Sequence, residues 1–129
     1  MKAKERAALQ DVLDRIQPLG AYGIVRTGVI LEMLAPASGL PIPLGWIDDE
    51  GRLSIDAIAA HVPIEHAQAY ARDIAKLMGA RTARPNEIVL LDTDGNRPLI
   101  APLVEQRAAW ADLLEKYIAL FQDASQPAR

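Results

Sequence analysis

The sequence predicts a mainly α domain with a small β-hairpin and long terminal helices. Three observations carry that reading. Apolar residues recur at helical spacing near both ends and in the middle of the chain. Pro18, Gly20, Pro36, Pro63, Gly79 and Pro102 punctuate the ends of those runs. One short stretch near residue 90, bracketed by turn residues, has the composition of a strand and its hairpin partner.

The 129 residues are 50% hydrophobic and 24% charged, the composition of one globular domain and not of a disordered chain. That domain is expected over residues 1–123, with its core at about 22–101, flanking helices at 3–17 and 102–123, and a frayed tail at 124–129. Cysteine is absent, which removes disulfides, thiolate zinc sites and thiol catalysis and fits a reducing compartment. The first fifteen residues are charged throughout, unlike a secretory signal. The most apolar run, 28–35, is broken by Glu32 and is far shorter than the roughly 20 residues of a membrane span. A soluble, cytoplasmic protein is expected.

Leu9, Val12, Leu13 and Ile16 make one stripe on a helix over 3–17. Ile24, Val25, Val29, Ile30, Leu31, Met33 and Leu34 surround residues 22–35 on nearly all sides, which predicts a central buried helix ended by Pro36. Residues 36–47 hold Pro36, Pro41 and Pro43, too broken for a helix, yet are too apolar for an idle loop. A turn at 48–51 leads to a very short strand at 52–54. Ser54 or Asp56 is then placed to cap a helix over 55–61. Residues 65–78 form the clearest helix, buried through Ala67, Tyr70, Ala71, Ile74, Leu77 and Met78 and stopped by Gly79. A Pro85–Asn86 turn, a strand at 87–91, a turn at Asp94–Gly95 and an edge strand near 97–100 follow. Pro102 opens a last helix reaching about 123, striped by Trp110, Leu113, Leu114, Tyr117, Leu120 and Phe121.

Net charge is −3, which argues against a protein that coats nucleic acid by charge alone. Its distribution is uneven. Residues 18–67 carry two basic and six acidic side chains, a net of −4, whereas 68–84 carry four basic against one acidic, a net of +3.

Residues 51–92, GRLSIDAIAAHVPIEHAQAYARDIAKLMGARTARPNEIVLLD, resemble the winged helix-turn-helix superfamily over about a third of the chain. The resemblance implies a winged-helix-like core. The segment 55–61 corresponds to the supporting helix, 65–78 to the recognition helix and 80–92 to the wing. It also implies binding of double-stranded DNA in transcription or in phage or plasmid replication control. Gln68, Arg72 and Lys76 stand at i, i+4 and i+8 on one ridge, positioned for a major groove, with Arg81 and Arg84 placed for phosphate. Pro63 departs from the family, where glycine is usual in the turn.

A reading from a different class is a non-catalytic protein-interaction module, such as a phage or mobile-element accessory protein, using Leu40, Ile42 and Trp46 in the apolar 36–47 segment. The last helix suggests a homodimer in which Trp110, Leu114, Tyr117 and Phe121 form an isologous contact; packing of that stripe inside its own domain is the plainer alternative.

No catalytic site, metal or cofactor is expected. His61 and His66 flank Pro63 and cannot share one helical face as zinc ligands do. Residues 92–96 mimic a calcium loop, but with glycine at the fourth position and leucine at the twelfth. Asp48–Glu50 reads as a solvated turn. Gly20, Gly23 and Gly28 lack the strand and spacing of a dinucleotide fingerprint, and no serine sits in a nucleophile elbow.

Overall fold

The computed structural model describes residues 2–124 except 37, 85 and 86. The Pro85–Asn86 turn and the tail beyond 124 lie outside the described residues.

α1 (Ala3–Ile16) buries Ala8, Leu9, Val12 and Ile16, and the chain then makes a 3₁₀ turn at Gln17–Leu19. Gly20 closes it at φ +92°, a left-handed conformation suited to glycine.

The next segment overturns the predicted central helix. Residues 22–35 form a β-hairpin, β1 (Ala21–Val25) against β2 (Val29–Leu34). Its sequence contains β-branched Ile24, Val25, Thr27, Val29 and Ile30, whose side chains suit a pleated strand better than a helix. Thr27–Gly28 supplies the turn. A Cβ on Gly28 would stand 1.9 Å from the Ile47 carbonyl oxygen, so the hairpin tip closes only over glycine.

The 36–47 segment is likewise not a crossover. β3 (Pro41–Ile47) pairs antiparallel with β2, and β4 (Leu53–Ser54) pairs with the end of β3. The prolines fit because β4 faces only Trp46 and Ile47, leaving the Pro41–Leu44 half of β3 without a strand on that side. The result is a four-stranded antiparallel sheet in the order β1-β2-β3-β4. Together with a second, two-stranded sheet it makes the described residues α+β, about 50% helix and 22% strand, and not mainly α with a small hairpin.

After β4 the expected helix over 55–61 is a 3₁₀ segment, Asp56–Ala60, with no side-chain cap; Asp56 turns instead to Arg97. α2 (Ile64–Met78) forms as the periodicity predicts. Gly79 ends it at φ +67°, where the Ala80 N–H donates to the Ala75 carbonyl. The hairpin expected from 80 to 92 is shorter than its sequence suggests: β5 (Arg81–Thr82) pairs with β6 (Leu90–Leu91). The predicted edge strand at 97–100 reduces to a bridge between Arg52 and Leu99, with the Leu53 N–H donating to the Pro98 carbonyl. The last helix is broken at Gln106 into α3 (Ala101–Glu105) and α4 (Arg107–Ala124).

The molecule has two layers. α4 packs against both α1 and α2, α1 packs on β1, and the buried side chains of helices and sheet form one core. Trp110, Leu114, Tyr117 and Phe121 are each 2% exposed or less within this single chain. Their expected role as a dimer interface is therefore corrected: they fill the space between α1 and α2. The ring centroids of Tyr70, Tyr117 and Phe121 stand 5.1–5.7 Å apart. The buried Tyr70 hydroxyl crosses between layers to donate to the Leu44 carbonyl of β3, at 2.6 Å.

Candidate docking face

A strand points successive side chains to opposite faces, so one face of the sheet serves the core and the other meets solvent. On β2, Val29, Leu31 and Met33 point inward and are buried, while Ile30, Glu32 and Leu34 point outward. On β3, Ile42, Leu44 and Ile47 point inward and Pro43 and Trp46 outward.

That pattern requires an extra residue, because 44 and 46 would otherwise share a face. Leu31 pairs with Gly45 and Glu32 with Pro43, so Leu44 and Gly45 form a bulge and both turn toward the core. Glycine is needed at this second inward position: a Cβ on Gly45 would lie 3.1 Å from Leu53 Cδ1. The bulge is what turns Trp46 outward.

The register then aligns Ile24 with Ile30, Ile30 with Trp46 and Trp46 with Ser54, one row running across all four strands. Trp46 is 52% exposed. A second row holds Tyr22, Glu32 and Pro43. Beside Trp46 lies a recess of about 360 Å³, floored by Ile30, Pro43 and Gly45 and bounded by Asp56 and Arg97.

Each ionic group of this face is already engaged. The Tyr22 hydroxyl donates to Glu32 Oε1 at 3.2 Å, and partial burial, then the Glu32 carboxylate, hold the phenol above its ordinary range. Arg97 grips Asp56 through two parallel hydrogen bonds of 2.8 and 3.0 Å, and its carbonyl accepts from Arg52 Nη1. What remains is a largely apolar surface that carries the Glu32 carboxylate, where an antiparallel sheet ordinarily shows more polar residues.

Of the three residues expected to meet a partner, Leu40 and Trp46 are exposed. Ile42 is corrected: it is 2% exposed, pointing into the core one position before Pro43. Sequence reading misses Ile24 and Ile30 as outward-facing residues, because their run reads as a helix; the period-two series Val29, Leu31, Met33 is the signal that locates them.

The basic residues lie elsewhere. Arg72 and Lys76 are exposed on α2, Gln68 is half-buried, Arg81 is exposed on β5, and Arg84 stands 3.6 Å from Glu87. α2 buries Ala67, Tyr70, Ala71, Ile74, Ala75 and Met78, so only a narrow stripe of it faces outward. His61 is exposed and His66 half-buried with Nδ1 making no hydrogen bond among the described residues. Those residues contain no group of three side chains able to hold a metal ion. Asp48 and Asp92 serve their own turns, accepting from backbone N–H groups at positions 50 and 52, and 94 and 96. No helix of the described residues is long and apolar enough to cross a membrane.

Fold and face together define a two-layer α+β domain with an open, apolar sheet. Comparison with protein-family models, curated proteins and solved structures gives no match to this chain.

Proposed function

We propose that this chain is a non-catalytic protein-interaction module that docks a partner on the outer face of its four-stranded sheet. The observation that carries the reading is the row Ile24, Ile30, Trp46, continuous over three strands, with Trp46 52% exposed and Ile24 and Ile30 half-buried beside it. Leaving such a row in water forgoes roughly 25 cal/mol for every Å² of apolar surface that a partner can cover. Contiguous exposed apolar patches of this kind mark interaction sites. The partner surface it fits is largely apolar.

The test is site-specific photo-crosslinking in cells. A photoreactive residue at position 46 should give a discrete protein adduct that Ile30→Lys removes, while one at position 72 gives none. The reverse pattern would discard the reading.

Double-stranded DNA is the second reading. It is favoured by the exposure of Arg72, Lys76 and Arg81, none in an ion pair among the described residues. Mobility shift across a salt series tests it: Arg72→Ala and Lys76→Ala should each flatten the salt slope by about one unit. Wild-type protein that fails to associate at low salt ends that reading.

A further inference from the structure

We infer that a groove between α1 and the tip of the β1–β2 hairpin binds a small amphipathic anion, an aliphatic chain carrying a carboxylate. The groove lies on the inward side of the sheet, away from the row Ile24, Ile30, Trp46, and does not depend on the docking reading.

Its origin is a gap in the helical cover. Ala21, Gly23 and Val25 pair with Met33, Leu31 and Val29 and share their inward face. Leu13 of α1 packs beneath Gly23, where a Cβ would stand 3.0 Å from Leu13 Cδ1. Two residues nearer the hairpin tip the cover stops. Val25 stands opposite buried Val29, yet it is 75% exposed, more than any other large apolar side chain among the described residues. The space left is a groove of about 480 Å³, with apolar walls from Leu9 and Leu13 of α1 and from Val25 and Val29 of the hairpin. This is the size of a small-molecule site, where apolar walls hold the body of a ligand and a few polar groups fix its orientation.

Charge selects the ligand. Arg6 of α1 and Arg26 of the hairpin line the same groove, one from each wall, and neither guanidinium has a hydrogen bond or ion pair among the described residues. The acidic side chains around it are turned to other partners. Glu5 lies against Gly51, with Oε2 3.3 Å from where a Cβ would stand. Asp14 accepts from the Gln10 amide at 2.8 Å, and Asp48 accepts from the N–H groups of residues 50 and 52. A neutral apolar guest would leave both cations unanswered, and a bare anion would leave Leu13 and Val25 in water. An aliphatic carboxylate meets both needs. Its chain covers the four apolar side chains, and its head accepts charge-assisted hydrogen bonds from the two guanidiniums.

Titration of the full chain with octanoate, followed through its methyl resonances, tests the inference. Leu9, Leu13, Val25 and Val29 should shift along one saturable curve while Ile24 and Ile30 stay fixed. Arg6→Gln and Arg26→Gln, both at exposed positions, should each weaken binding about tenfold. Octanol has the chain without the charge, and acetate has the charge without the chain. Each should bind at least about tenfold more weakly than octanoate. Failure of octanoate to saturate, or a curve that neither arginine substitution moves, overturns the inference. Octanol or acetate binding as tightly as octanoate overturns it as well, because one half of the chemistry would then suffice. Shifts confined to Ile24 and Ile30 would place octanoate on the outer sheet face and discard the groove.

Discussion

Tyr70 joins the two layers by a single atom. Its ring packs edge-on to Phe121 at 5.6 Å, and its hydroxyl satisfies the Leu44 carbonyl at the bulge that orients Trp46. Tyr70→Phe leaves that carbonyl buried without its donor and should cost about 1–2 kcal/mol in urea unfolding. Burial raises the pKa of Tyr70 well above the ordinary phenol value, as burial and then Asp73 do for Tyr117. A folded-state pKa above the unfolded one contributes stability that is complete below about pH 10 and is lost as pH rises toward the folded value. Melting temperature should therefore fall above about pH 10, less steeply in Tyr70→Phe; a fall of equal steepness would show that Tyr70 is not the buried phenol responsible. Gly28 is the second residue that permits the face. Its alanine variant must move the Ile47 carbonyl, and a loss of roughly 2 kcal/mol or more is expected in the same assay.

At the scale of elements, the helices α1 and α2 and the Gly79 stop are legible in the sequence because each has one apolar stripe and a polar remainder. The β1–β2 hairpin is not, and the cause is physical. An antiparallel strand is recognised by alternation, inward apolar and outward polar. Here the outward positions Ile24, Ile30 and Leu34 are apolar too, so alternation disappears and the run looks like a helix buried on every side. The feature that hides the strands is the one on which the docking proposal rests. β3 is concealed in a second way, by two prolines and by a bulge that breaks period two at Leu44–Gly45. The last helix was legible as a helix but not in its role, since periodicity shows that a stripe is buried and not by what. Trp110→Ala and Phe121→Ala should each destabilise the protomer by about 3–5 kcal/mol in denaturant unfolding. Loss of a dimer with unchanged protomer stability would restore those residues to an interface.

Over the whole molecule, the helices and one face of the sheet share a single core, and the other face carries the row proposed to dock a partner. The ion pairs follow the same division. Arg15 bridges α1 to Asp112 and Glu115 of α4, and Arg107 reaches back to Asp11, so charge ties the helical layer together along its solvent side. On the sheet, Arg97 pairs with Asp56, Glu32 accepts from the Tyr22 hydroxyl, and the row across the strands is left apolar.

Collisional quenching of Trp46 tests that account most directly, using a Trp110→Phe background so that one indole reports. The account predicts red-shifted emission that acrylamide quenches nearly as well as a free indole, with Ile30→Lys leaving the folded spectrum intact. Blue-shifted emission that resists the quencher would place Trp46 inside its own domain and contradict it.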